Sequence, residues 1–434
     1  VIIALVGVLA FLGKGQLEVW SVAAEAKEVY EQLQVFSDVL DIVKENYVRE
    51  VDNEELIEGA ISGMMKTLDP HSSYLNPDAY KELQVETQGS FGGIGIEITI
   101  RDEVLTVVSP LEGTPADKLG IEAGDQILRV NGEPTKDMTL LEAVKRLRGP
   151  KGTNVVITIM REGFTQPKDF EITRAIIPIK SVRTKTLEPG YGYLRIAQFQ
   201  STTLRDLRAA LVKLEKENKP IKGLVLDLRN NPGGLLDQAV KVSDEFLNDG
   251  LIVYTDGRLK SQAMRFKAQE NGSPHNYPIV VLVNSGSASA AEIVAGALQD
   301  HKRAVILGEK TFGKGSVQTV LPLRNGAAVR LTTALYYTPN GRSIQAKGIE
   351  PDITVKRHLL PREEQKEDRL EEIREEDLKN HMDAEEEEST EPKKAEPDEE
   401  KEIRRLLQRD NQLARALEVL KSWEILSRIK YTKE

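Results

Sequence analysis

Ser289, Lys314 and Gln318 bring a hydroxyl, an amine and an amide into two neighbouring segments, GSASAAEI and TFGKGSVQ. Together they can build an acyl-transfer nucleophile without a histidine. A serine hydroxyl is a poor nucleophile until a base removes its proton, and none of the five histidines, His71, His275, His301, His358 and His381, lies in a motif of this kind. A lysine is such a base only when neutral. Its pKa must then fall from ~10.4 to roughly 7, a differential solvation cost of about 4 to 5 kcal/mol that burial has to supply. Gln318 offers a carbonyl that can hold the amine by accepting its proton, and it adds no charge that would raise the pKa again.

These groups must be placed by the elements around them. An apolar run, IVVLV at 279 to 283, leads through the small-residue turn NSGSA to Ser289, and Ile293, Ala297 and Leu298 then follow at helical spacing. The pattern predicts strand, tight turn, helix. A serine at that junction lies at a helix N-terminus, where unpaired N–H groups and the positive end of the dipole favour a developing oxyanion. Lys314 lies in a Gly-rich turn between AVILG (304 to 308) and the alternating VQTVLPL (317 to 323). Each residue alone has a plain reading, the serine as a helix N-cap and the lysine as a solvated surface charge. The pair means more, because both fall on successive strand-to-loop units of one sheet. The run from Gly308 to Lys314 also reads G-x-x-x-x-G-K, but Gly315 stands where a phosphate-binding loop needs Ser or Thr, and the following segment is strand-like. Nucleotide binding is therefore not expected.

Two more segments belong to the argument. GLVLDLRNNPGGLLDQAVKVSDEFL, 223 to 247, reads as buried strand, turn and amphipathic helix, and its turn, Asn230 to Gly234, tolerates unusual backbone angles and close approach of another group. On composition alone it is an ordinary strand-to-helix loop. Residues 90 to 176 have short strands bounded by Gly, Pro and Asn-Gly with one helix, TLLEAVKRLRG, which suggests a compact β-rich domain.

SASAAEI followed by FGKGSVQ resembles the serine/lysine signature of the carboxyl-terminal processing proteases, the tail-specific peptidases of family S41. The resemblance implies Ser289 as nucleophile, Lys314 as general base and Gln318 as the residue orienting the lysine. LDLRNNPGG resembles the family's oxyanion loop, which implies backbone donors at Gly233 or Gly234 together with Ala290; the choice of glycine stays open. The 90 to 176 segment, through GTPADKLGIEAGDQILRVNG, resembles a PDZ domain, with Gly93, Ile94, Gly95 and Ile96 matching the loop that captures a chain terminus while the peptide adds as a strand. Leu140 and Val144 would line the pocket for the last side chain, or serve only as core residues. Arg148, at the end of the helix, is either a capping charge or, as the resemblance implies, the arginine through which a bound tail signals to the catalytic site.

The family resemblance also implies a mixed α/β, crotonase-like protease core over 177 to 360, a PDZ domain over 89 to 176, and an N-terminal helical region over 21 to 88 that dimerises. Phe36, Val39, Val43 and Tyr47 stripe the first helix of that region, Leu56, Ala60 and Met64 the second, and LDPHSSYL (68 to 75) resembles its junction motif. Substrates would be unfolded or flexible protein C-termini, with envelope proteins the class implied and an adaptor protein left open. No cofactor or metal is expected, since no HExxH or paired Cys/His spacing occurs. The rival from another class is a non-catalytic PDZ scaffold in which Ser289 merely caps a helix.

The 434 residues, 40% hydrophobic, have room for several domains with adequate cores, and the net charge of −10 argues against a nucleic-acid partner. Much of the acidity lies in 361 to 402, read as a solvated linker. Beyond it helical periodicity returns, with Leu413, Leu417 and Leu420 on one face. VIIALVGVLAFLG at the start is apolar, uncharged and too short to span a bilayer, so it reads as the remainder of a signal or anchor segment, residues 1 to 20, or else as a buried core helix. The first reading places the protein in the cell envelope or periplasm. The absence of cysteine fits that compartment without requiring it.

Overall fold

The computed structural model describes residues 27, 29–101, 103–270, 275–358 and 398–428. The apolar start and nearly all of the acidic linker fall outside them. Among the described residues no helix is long and apolar enough to cross a membrane. The chain divides into two units, one formed by residues up to Tyr80 with Thr319–Thr332, the other by Lys81–Gln318 with Thr333 onward.

In the first unit a helix over 29–46 is followed by the helix Asn53–Lys66, whose start is fixed by Asp52: its carboxylate accepts Glu54 N–H at 2.7 Å and Glu55 N–H at 3.2 Å. Phe36, Val39 and Tyr47 are exposed and Val43 is half-buried, so most of the expected stripe of the first helix is uncovered among the described residues. On the second helix Met65, not Met64, takes the buried position. The strand Ser73–Leu75 pairs antiparallel with residues 328–330, and the Asp69 carboxylate locks the LDPHSSYL turn by accepting from His71 N–H, Ser72 N–H, and the Ser72 and Thr332 hydroxyls. His71 thus enters the turn through its backbone.

In the second unit the β-rich module is an antiparallel sheet in the order Ile96–Arg101, Val104–Pro110, Gln126–Val130, Asn154–Met160, Lys168–Thr173. Alternation in Asn154–Met160 sends Val155, Ile157 and Ile159 inward against Ala143 and Leu147 of the helix Leu140–Leu147. Thr139 and Glu142 form a reciprocal capping box that sets where that helix begins.

The larger part of the second unit is a six-stranded sheet, ordered Val182–Glu188, Tyr191–Ile196, Gly223–Asp227, Ile279–Val283, Val305–Gly308, Ile353–Thr354. The first pair is antiparallel and every later pair parallel. Both faces are covered, which is why the central strands are continuous apolar runs rather than alternating ones. Leu224, Leu226, Ile279, Val281 and Val283 face a core shared with the helices Thr203–Glu217, Leu236–Phe246 and Ala290–Asp300. Their neighbours Val225, Val280 and Leu282 face Leu413, Ala416, Leu417 and Leu420 of the helix Asn411–Arg428. The face read from the sequence for the C-terminal helix is therefore the docked one.

Candidate active site

Three central strands of the parallel sheet end side by side, with Asp227 opposite Leu282 and Val283 opposite Gly308. Each is followed by one of the motifs singled out above: NNPGG after the first, NSGSAS after the second, TFGKGS after the third. Sheet topology thus gathers the three turns at the carboxyl ends of the strands, where open α/β sheets place their ligands.

Ser289 stands at the N-terminus of the helix Ala290–Asp300 with φ 55° and ψ −113°, a conformation costly for a residue with a side chain. It is 6% exposed. Its hydroxyl does not serve the helix as a cap; Oγ lies 3.3 Å from the hydroxyl of Tyr336. Capping passes instead to Glu292, whose Oε2 accepts the Ser289 N–H at 2.7 Å. The simple N-cap reading of the serine hydroxyl therefore does not describe this geometry.

Glu292 does more than cap. Its carboxylate, 0% exposed, also accepts the Lys314 N–H on Oε2 at 2.9 Å, and the Gly313 N–H and Thr311 hydroxyl on Oε1 at 2.7 and 2.6 Å. One oxygen thus binds the backbone nitrogens of both Ser289 and Lys314. A buried carboxylate holds its charge only with such a set of donors. The loop is tied further by Phe312 N–H to Ser287 C=O at 3.0 Å and by Tyr336 N–H to Gly315 C=O at 2.7 Å. Burial raises the pKa of the Tyr336 phenol, so the hydroxyl facing Ser289 stays neutral. Lys314 is half-buried. The strand Ser316–Pro322 follows it, where a phosphate-binding loop would continue as a helix. Gln318 lies on that strand on the same face as Ser316, and its Nε2 donates to the Ser316 hydroxyl at 2.8 Å, which orients the amide.

The NNPGG turn is locked against the turn that leads into Ser289. Asn230 N–H donates to Asn284 Oδ1 and Asn284 Nδ2 to Asn230 Oδ1, each at 2.9 Å; Ser287 Oγ donates to Leu228 C=O and Ala288 N–H to Asn231 C=O. Gly233, at φ 106°, passes so close that a Cβ there would stand 2.8 Å from Ser289 Cβ, while one on Gly234 would stand 2.1 Å from Phe199 O. Only glycine fits either place. The Gly233 N–H is already committed to Asn231 Oδ1 at 2.9 Å. Among the described residues the N–H groups of Gly234 and Ala290 have no intramolecular acceptor, which leaves them open as donors.

Gly93, Ile94, Gly95 and Ile96 border a groove of about 90 Å³ completed by Phe91, Ile98, Val144, Leu147 and Arg148. Leu140 is not in its lining and is 41% exposed, whereas Leu147 is in the lining. The reason is helical geometry, since Leu147 lies one turn beyond Val144 on the inward face while Leu140 starts the helix at its open end. Gly95, at φ 82°, leaves no room for a side chain beside Thr114, whose hydroxyl lies between the Leu111 carbonyl at 2.5 Å and the Gly95 carbonyl at 3.0 Å. Arg148 follows the helix, but its guanidinium is not a cap: it donates to Glu82 at 2.7 Å and lies 4.5 Å from the centre of the Phe91 ring.

Sequence reasoning quoted Glu292 inside the serine motif without giving it a role, and it missed Tyr336 and the Asn230–Asn284 pair. Only Glu292 left a local trace, as an acid at the third position of a helix whose cap is a serine.

Comparison with known proteins agrees with this layout. The model described as "Peptidase family S41" matches residues 190–355, that of the PDZ domain residues 82–160, and that of the "Activating protease CtpB N-terminal domain" residues 13–79. A carboxy-terminal-processing protease of Bartonella bacilliformis is 50% identical over 335 residues, covering 77% of this chain and 77% of that protein. A carboxyl-terminal-processing protease of Synechocystis is 41% identical over 327 residues, covering 74% and 76%. Among solved structures, a photosystem II D1 C-terminal processing protease is 33% identical, covers 76% of this chain and 94% of its own, and superposes with a TM-score of 0.44. By its similarity to these relatives over most of both chains, the protein belongs to peptidase family S41 and is a serine-type peptidase of the carboxy-terminal-processing kind.

Proposed function

We propose that the chain is an endopeptidase that captures flexible protein C-termini in its PDZ groove and cleaves them with a Ser289/Lys314 dyad. The observation that carries this reading is the single Glu292 oxygen that binds the backbone of both residues, because it seats the lysine's loop beside the serine. Neutral Lys314 takes the Ser289 proton as Oγ attacks the scissile carbonyl, and Gln318 orients the amine. The resulting oxyanion is held by the N–H groups of Ala290 and Gly234; Gly233 joins them only if Asn231 releases its N–H. Lys314 then protonates the leaving amine, and water, deprotonated in turn by the lysine, clears the acyl-enzyme.

In the same reading the tail's carboxylate meets the Gly93 to Ile96 loop and its last apolar side chain fills the space beside Val144 and Leu147. Arg148 borders that space, so an arriving tail competes with Phe91 and Glu82 for it and can report occupancy to the protease core. We place the enzyme in the cell envelope, exported through its apolar start, and assembled as a homodimer through the exposed apolar stripe around Phe36 and Val39. An adaptor that presents substrates stays compatible with this scheme.

The test compares wild type, Ser289→Ala and Lys314→Ala on an unfolded protein ending in an apolar tail. Loss of cleavage in both variants with unchanged tail binding is expected. Equal cleavage by wild type and Ser289→Ala would overturn the dyad. Arg148→Ala should bind the tail as wild type does yet cleave it slowly; full activity would remove Arg148 from the switch.

A further inference from the structure

Behind the oxyanion turn lies a buried charged cluster that joins it to the far end of the chain. Arg229 immediately precedes Asn230, and its side chain is 9% exposed. All five of its N–H donors are engaged. Nε and one Nη2 hydrogen bind Asp227 Oδ1 and Oδ2 at 3.0 and 2.7 Å; the other Nη2 hydrogen and one from Nη1 bind Asp410 Oδ2 and Oδ1 at 2.7 and 2.8 Å; the last reaches Gln412 Oε1 at 3.0 Å. Asp227, 0% exposed, also accepts the Tyr193 hydroxyl at 2.8 Å.

Asp410 sits between the helices Asp398–Arg409 and Asn411–Arg428 and also accepts the Leu413 N–H at 3.1 Å, so the start of the second helix depends on it. Gln412, 0% exposed, donates to Val355 C=O at 2.7 Å. These helices lie beyond the 190–355 stretch matched by the peptidase family. The pair has further polar anchors, among them Lys185 with Glu402, Lys421 with Glu188, Asn411 with the Lys356 carbonyl, and Glu424 with Tyr191 and Lys222 at the opposite ends of their strands from the turn.

We infer that the C-terminal helix pair is a positioning element of the active site, acting through Asp410 and Arg229 on the turn that carries the oxyanion donors. The inference rests on the dyad reading given above. Removing Asp410 leaves the Arg229 guanidinium half-unpaired in a buried site, and the guanidinium must move to find water. Arg229 also donates its N–H to Asp227 Oδ1 at 2.9 Å, and the next residue, Asn230, is held at φ 54°, so little slack separates the side chain from the turn. A shift of about 1 Å at such donors costs on the order of 100-fold in rate. Asp410 and Arg229 touch no reacting atom and are positioning residues.

The experiment uses the full-length chain and four proteins: wild type, Ser289→Ala, Asp410→Ala and Glu424→Gln. The last loosens the same helix away from the turn. Readouts are kcat and KM on a tail-bearing substrate, affinity for a peptide aldehyde whose tetrahedral adduct needs the oxyanion donors, affinity for a tail peptide, and thermal unfolding. For Asp410→Ala we expect kcat to fall by about 10- to 100-fold and aldehyde affinity to fall in parallel. KM and tail-peptide affinity should stay within twofold of wild type. A fifth protein, Asp410→Asn, keeps acceptor oxygen on one side and should lose less kcat than Asp410→Ala; where Asp410→Ala proves too unstable to assay, Asp410→Asn takes its place in the same comparison with Glu424→Gln. If Asp410→Ala and Glu424→Gln lower kcat equally, in step with melting temperature, or if aldehyde affinity does not change, the helix is only a structural cover and the inference falls. If Ser289→Ala cleaves like wild type, the dyad reading itself falls and takes the inference with it.

Discussion

Replacing Glu292 by glutamine changes one atom in the buried centre of the site, and the structure says what that atom faces. Both carboxylate oxygens only accept: Oε2 from the N–H groups of Ser289 and Lys314, Oε1 from Gly313 N–H and the Thr311 hydroxyl. An amide must turn its NH2 toward one of these pairs. Facing Oε2's partners it opposes two backbone donors. Facing Oε1's partners it opposes Gly313 N–H, and Thr311 cannot freely rotate to help, because its oxygen already accepts Ile349 N–H at 2.6 Å. At least one backbone N–H is left unpaired beside a side chain that is 0% exposed, at about 1–3 kcal/mol each. Glu292→Gln should therefore lower unfolding free energy by at least about 1–3 kcal/mol.

The rate effect should be larger than the stability loss suggests. The same carboxylate sets the spacing between the Ser289 and Lys314 backbones, and on the proposed dyad mechanism a displacement of about 1 Å costs on the order of 100-fold. The assay is steady-state cleavage of a tail-bearing peptide with thermal unfolding measured on the same protein. The expected result is a kcat loss of roughly two orders of magnitude with little change in KM. Glu292→Gln with kcat within twofold of wild type would refute the claim that this carboxylate couples the two loops.

Gly233→Ala must place a methyl 2.8 Å from Ser289 Cβ at φ 106°, so kcat should fall by at least about 10-fold while tail-peptide affinity, measured by fluorescence anisotropy, is unchanged; a fully active variant would show that the turn does not abut the nucleophile. Away from the site, His275 lies between Glu245 and Glu215, and its hydrogen bond to Glu245, helped by that to Glu215, raises its pKa above the ordinary 6.5. A raised folded pKa means that its stabilisation is complete below 6.5 and is lost as pH rises through the higher folded value. His275→Gln should thus lower the melting temperature at pH 6 by more than at pH 8.5, and an equal effect at both values would contradict the pairing.

Much of this site was legible because its parts are locally encoded. Apolar runs marked the strands ending at Asp227, Val283 and Gly308, and small residues marked the turns after them, since a chain that must leave a sheet sharply beside another backbone admits few side chains there. The helix Ala290–Asp300 and the docked face of the last helix followed from spacing in the same way. Of the two helix residues read as pocket lining, Val144 borders the groove and Leu140 is 41% exposed outside its lining, a distinction periodicity does not make because it names a face and not which end of it meets the groove. Met64 and Met65 differ by a rotation that periodicity alone does not resolve.

What the sequence offered by itself is therefore a set of candidate groups and the local turns that present them. Ser289, Lys314 and Gln318 lie close enough along the chain for their type and spacing to carry meaning. Tertiary structure decided which groups hold them there. Glu292 meets Thr311, Gly313 and Lys314 only when two parallel strands lie side by side, and Arg229 meets Asp410 across 181 residues. Local spacing could not reveal those partners, because strand order and the docking of the last helix depend on burying the whole sheet, a property of the complete chain rather than of any motif.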